Sequence, residues 1–256
     1  MLTFADPSPH HAVLTEVSPD TAPAVTGETD NGKLDVLIAP GPRSARSPDR
    51  PWEDAGTRWI SGGAPSGTEP PITLSVRGTD VTWRPGRALL WAAADQAEAM
   101  LLAVIDFSYH EQQLRRLEQE IAAAWDDLEQ DKRLAWEAQP ADLDHDGSVG
   151  MRMSQTLHRR IRHSRISPRL QQPTRSLPPA TGTLVEELRS RAGVDDRLEA
   201  VDGHLEVFEH VYEMASQRLG EFRASHKEQT LERVIIVLLA AEGLLLLLGM
   251  FWTPGG

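Results

Sequence analysis

The clearest pattern along the chain is an apolar run at 234–252, in which Glu242 is the only charged side chain. Twelve of these nineteen positions are Leu, Ile, Val or Phe. At roughly −0.3 to −0.6 kcal/mol apiece near a bilayer centre, they outweigh the roughly +3 kcal/mol of one central acid. Nineteen helical residues reach about 28 Å, close to the thickness of a hydrocarbon core. The pattern predicts one transmembrane helix. Arg218, Arg223, Lys227 and Arg233 precede it and no charge follows, so the positive-inside bias places the bulk of the chain in the cytoplasm. The expected product is a single-pass, tail-anchored membrane protein.

Upstream, Leu198, Val201, Leu205, Phe208, Tyr212, Ala215, Leu219 and Phe222 repeat at a/d heptad spacing. They predict a coiled-coil-like helix within 183–233, with Asp196 and Glu199 as an acidic capping box and no breaker before the membrane. The stripe suits packing against another helix of the chain or self-association. Residues 87–137 contain neither Pro nor Gly and carry Leu114, Leu117, Ile121, Ala124 and Leu128 at 3-4 spacing, which predicts one long helix. Residues 1–86 are rich in Pro and Gly, with short β-like runs at 11–17, 33–38, 58–60, 72–77 and 81–83. Partial disorder is expected at 18–32 and 40–56. The fold class is therefore mainly α: long antiparallel helices running into one C-terminal transmembrane helix, after a small β-containing or α+β region. Residues 138–182 read as a linker.

Composition narrows the chemistry. The formal net charge of −12 speaks against general nucleic-acid binding, and the absence of cysteine removes disulfides, thiolate nucleophiles and Cys-based zinc sites. Lys33, Lys132 and Lys227 are the only lysines beside many arginines, a bias typical of GC-rich bacterial genes. The start Met1-Leu2-Thr3-Phe4-Ala5-Asp6-Pro7 has neither a basic region nor an apolar core, so no secretory or mitochondrial leader is expected.

Few motifs remain. Asp142, Asp144, Asp146 and Gly147 follow the opening spacing of an EF-hand loop, making calcium the one metal to consider. Met153 stands where a bidentate carboxylate should close the shell. From 147 to 185 there is no acid, and Arg152, Arg159, Arg160, Arg162, Arg165, Arg169 and Arg175 form a basic stretch suited to an anionic partner. Gly62, Gly67 and Thr68 mimic P-loop spacing without its lysine, and neither HExxH nor GxSxG occurs. Gly249-Met250-Phe251 lacks the asparagine of CorA-type magnesium channels, and the second membrane helix of those channels is missing. No cofactor is implied, and no catalytic group presents itself.

The stretch from Thr230 to Glu242 combines the Leu231-Glu232 pair, an Ile-rich run and a second acid, Glu242, ten residues after Glu232, with His226 just upstream. In these features the last 60 or so residues resemble the required for meiotic nuclear division (RMD/YagE) family. That resemblance implies a coiled-coil helix feeding a C-terminal membrane helix, and a membrane-anchored scaffold or assembly factor without enzymatic activity. Glu232 and Glu242 would be its membrane and interhelical residues. The expected function is a scaffold acting through self-association or a protein partner. The alternative is a subunit of a transport or channel assembly with Glu242 in the membrane path.

Overall fold

The computed structural model describes residues 11–15, 24–29, 32–40, 60, 70–137, 139, 142, 146–172 and 179–252. These residues are mainly helical, with one small sheet near the N-terminus. Its strands are β1 (His11–Thr15), β2 (Ala24–Thr29), β3 (Gly32–Pro40), β4 (Ile72–Val76), β5 (Thr79–Arg84) and β6 (Arg87–Ala92). They lie in the order β1-β2-β3-β6-β5-β4, all neighbours antiparallel except β3 beside β6. The β4–β5 hairpin turns on Arg77 and Gly78, at φ 50° and 82°, the two left-handed residues of a tight I′ loop. The β5–β6 hairpin turns on Pro85 and Gly86. Proline fixes the first φ and glycine takes the second at 79°.

β6 corrects the expected helix start at 87. Ala88 to Ala92 are all buried, because the strand sits in the middle of the sheet with β3 on one side and β5 on the other. A short apolar run buried on both faces carries no period that separates strand from helix. β2 falls inside the segment expected to be disordered, where Val25 and Thr26 pair with Val36 and Asp35 of β3. Of the run at 58–60 only Ile60 is described, and it is helical and buried. The glycine-rich run at 62–68 lies outside the described residues, as does 41–56.

The helices are α1 (Ala94–Asp131), a short 3-10 helix (Lys132–Ala135), α2 (Asp146–Gln171), α3 (Pro179–Arg191) and α4 (Val194–Trp252). α2 replaces most of the expected linker at 138–182. Its buried column is Val149, Thr156, His163 and Leu170, seven residues apart, with Ile166 beside it. Two of those four positions are polar, which hides the stripe from a reading by hydrophobicity. Residues 183–233 are likewise not one helix. α3 ends at Arg191, and Gly193 turns the chain at φ 58°. Asp196 lies within the first turn of α4, whose opening bond runs from the Arg197 N–H to the Gly193 carbonyl at 3.1 Å.

The chain divides into two compact units, Met1–Ala122 with Arg159–His204, and Ala123–His158 with Leu205–Gly256. In the first, α1 lies on the sheet. Trp83 of β5 meets Phe107 edge-on at 5.2 Å and donates its indole N–H to Ser108 Oγ at 2.8 Å. Arg191 at the end of α3 donates to the Thr73 carbonyl on the edge strand β4. In the second, Trp125 of α1 packs edge-on against Phe208 of α4 at 5.1 Å, over Leu205, Tyr212, Ala215 and Leu219.

In the first unit α1 meets α4 through Glu111 and Glu118 at Arg197, and α2 reaches α1 through Arg162 at Glu120 and α4 through Arg160 at Asp202. In the second, the heptad stripe of α4 from Leu205 to Leu219 is buried within its own chain, with Phe208 against Trp125 of α1.

Candidate functional site

The feature that the fold leaves unexplained is the far part of α4. Beyond Leu219 no described side chain of this helix is buried, and only Phe222 and Gly243 are even half-buried. Residues 223–233 are a bare polar helix. Phe222 stacks on His226 at 6.2 Å, and Thr230 Oγ1 donates to the His226 carbonyl at 2.8 Å. Then the composition changes. Leu231, Val234 and every residue from Ile235 to Leu239 are exposed, as are Leu244 and Leu245, the last at 68%. Each such side chain left in water forgoes about 1.5–3 kcal/mol of burial. None of the described residues covers this run, which is an unusual amount of apolar surface for one helix to leave exposed.

Glu232 and Glu242, the residues that the resemblance singles out, are both exposed on this part of α4. Among the described residues no helix is long and apolar enough to cross a membrane. Side chains are described only to Leu245, so the run as described is the twelve residues 234–245, about 18 Å of helix against a core of about 30 Å.

Of the acidic loop, Asp142 is tied into the chain. Both oxygens of Asp142 are engaged by Arg133, at 2.6 and 3.1 Å, and one of them also accepts from the Gln139 N–H at 2.7 Å. Asp144 and the side chain of Asp146 lie outside the described residues. α2 already begins at Asp146, so positions that should wrap an ion are helical through Met153. Among the described residues no cluster of His, Asp and Glu is arranged to hold a metal.

Three arginines of the basic stretch, Arg152, Arg160 and Arg162, are paired with acids of the chain, and Arg175 lies outside the described residues. In the second unit Arg152 pairs with Asp131 and, at 3.0 Å, with Asp127. These hydrogen bonds, Asp131 foremost, hold its guanidinium above the ordinary arginine range against the opposing pull of burial. In the first, Arg162 binds Glu120 at 2.6 Å and Arg160 binds Asp202. Arg165 and Arg169 are exposed, and Arg159 is half-exposed.

One ionic cluster has no counterpart in the sequence reading. Arg197 of α4 binds both oxygens of Glu118 at 2.7 Å and reaches Glu111 at 2.9 Å, while Arg115 holds the same oxygen of Glu111. Glu111 is fully buried. Burial pulls the Arg197 guanidinium down, but its hydrogen bonds to Glu118 and Glu111 outweigh this and keep it above the ordinary arginine value. The available signal was an acid at 111, three residues before Leu114 on the apolar face of α1. The cluster clamps α1 to α4. No protein-family model, curated protein or solved structure matches this chain.

Proposed function

We propose that this protein is a membrane-anchored helical scaffold without catalysis, with residues 234–252 as a single-pass anchor and its bulk on the cytoplasmic face. The observation that carries the reading is the uncovered apolar run on α4 from Val234 to Leu245. A bilayer is the cover that suits a helix apolar on all sides. The resemblance to the RMD/YagE family and the cations ahead of the run point the same way. Scaffolding follows from what the chain offers: packed helices and a polar helical stalk ahead of the apolar run, presented to a partner protein or to other copies of itself. The second reading, a subunit of a transport assembly, rests on Glu242, a carboxylate exposed within the anchor. A single span supplies only one wall of such a path.

The test is a chain ending at Glu232. It is expected to be soluble without detergent and to keep its helical circular dichroism, while the full-length chain floats with membranes. Full-length protein that stays at the bottom of the flotation gradient overturns the anchor.

A further inference from the structure

We infer that two anchored copies of this chain pair in parallel along one face of α4, marked by Leu231 and Glu242, an arrangement that rests on the anchoring reading. The face is separate from the heptad stripe, which the chain itself buries.

Leu231 and Glu242 are each out of place. Leu231 is apolar and 63% exposed in the polar stalk, ahead of the run that a bilayer would cover. Glu242 is the only charged side chain of that run, where lipid offers it no hydrogen bond. Eleven residues separate the two. That is about three turns, so they lie within about 20° of one another on a single face of the helix. An apolar residue where water should be and a polar one where lipid should be are the two signs of a face covered by protein. Measured round the helix from Ala215 and Leu219 of the buried stripe, both lie about 120–180° away. On the stripe side Trp125 of α1 packs at Phe208, whereas Leu231 and Glu242 are exposed.

The residues between them complete a seam. Leu231, Ile235, Leu238, Glu242 and Leu245 follow one another at steps of four, three, four and three, all exposed. Leucine holds each d position, and Ile235 and Glu242 hold the a positions. That is the pattern of two parallel strands with one polar residue fixing their register. Glu228, the preceding a position, sets like charges face to face, so the seam begins at Leu231.

The occupant is a second copy because of what Glu242 needs. The run holds no other polar side chain before Trp252, so a side-chain partner for Glu242 comes from another chain. A carboxylic acid both donates and accepts a hydrogen bond, and two at one depth satisfy each other. A copy anchored by the same segment brings an identical group to the same depth, and the pair closes about a two-fold axis.

The chain has no cysteine, so an introduced one is unique. Two differently tagged full-length copies, each with the same single cysteine, are co-expressed in one membrane and oxidised with a membrane-permeant reagent. Leu231→Cys and Leu238→Cys, on the face, are expected to give mixed-tag disulfide dimers, since bridged residues need Cα atoms within about 7 Å. Gln229→Cys and Ala240→Cys, about 160–180° round the helix from them, are the controls and should yield at least about threefold less. Added to Leu231→Cys, Glu242→Leu should lower the mixed dimer about threefold, the effect of one modest polar contact between membrane helices, whereas Glu242→Gln should hold it. Equal yields round the helix, a Glu242→Leu yield equal to that of Glu242→Gln, or adducts to a foreign chain in place of mixed-tag dimers would each overturn the inference. Flotation of the same membranes separates the two readings. Protein that fails to float takes the anchor and this inference down together, whereas floating protein without the face-dependent dimer removes only the inference.

Discussion

Arg197 on α4 and Glu111 on α1 meet at 2.9 Å with the carboxylate wholly out of solvent. Such a pair is costly to break on one side, because the surviving charge stays buried with Arg115 alone to offset it, and Glu118 loses both of its bonds to Arg197. Arg197→Met is expected to lower unfolding free energy by about 3–5 kcal/mol. Arg197→Met with Glu111→Gln should recover a large part of that loss. Denaturant titration of the Glu232-truncated chain measures both, and equal losses in the single and double variants would show that Glu111 is not what suffers.

The heptad positions of α4 should behave as core. Leu205→Ala and Phe208→Ala are each expected to cost about 2–5 kcal/mol, since both side chains are fully enclosed. Losses under about 0.5 kcal/mol at both would place the stripe in solvent.

His163 gives the first unit a pH dependence. Burial lowers the imidazole below its ordinary value, and Asp202 opposes this only in part, with Arg160 adding to the depression. A histidine depressed in the folded state is held neutral there, while the unfolded chain takes up the proton first. Stability should therefore be complete above the ordinary histidine pKa of about 6.5 and fall as pH drops below it towards the depressed folded value. His163→Gln should flatten this part of the profile, read as melting temperature between roughly pH 7 and pH 5. An unchanged slope would assign the dependence to other groups.

Calcium is expected to release no binding heat from the full chain at about millimolar concentration. The oxygens of Asp142 are committed to Arg133 and Gln139, and the loop positions from 146 onward are helical. Heat that disappears in Asp142→Asn would reverse this.

Glu242→Leu should leave flotation intact, because the surrounding leucines suffice for insertion, while weakening association within the bilayer. Polar contacts between membrane helices contribute about 0.6–2 kcal/mol each. Identical cross-linking of wild type and variant in native membranes would leave Glu242 as a tolerated acid.

What the sequence made legible was period and composition. The a/d spacing from Leu198 to Leu219 marks buried positions because seven apolar residues hold one face of one helix. The two strands on either side of Arg77-Gly78 were legible as short β-like runs at 72–77 and 81–83. Three features were not. β6 is apolar on both faces and has no period. α2 buries Thr156 and His163 at core positions, and its arginines read as a charge run because their acids come from elsewhere in the chain. The clamp at Arg197 joins residues 79 and 86 positions apart, a distance over which sequence spacing carries no information.

The bare stretch of α4 from 223 to 233 has a consequence for how the body is aimed. Eleven helical residues stand it off by about 16 Å, and each residue added or removed there swings the remainder of the helix by about 100° about its axis while changing the height by about 1.5 Å. The stalk is thus a dial as well as a spacer. On the anchoring reading, a partner fixed in the same bilayer does not turn with the body. It would accept a one-residue insertion poorly and a change of seven residues, nearly two full turns, far better.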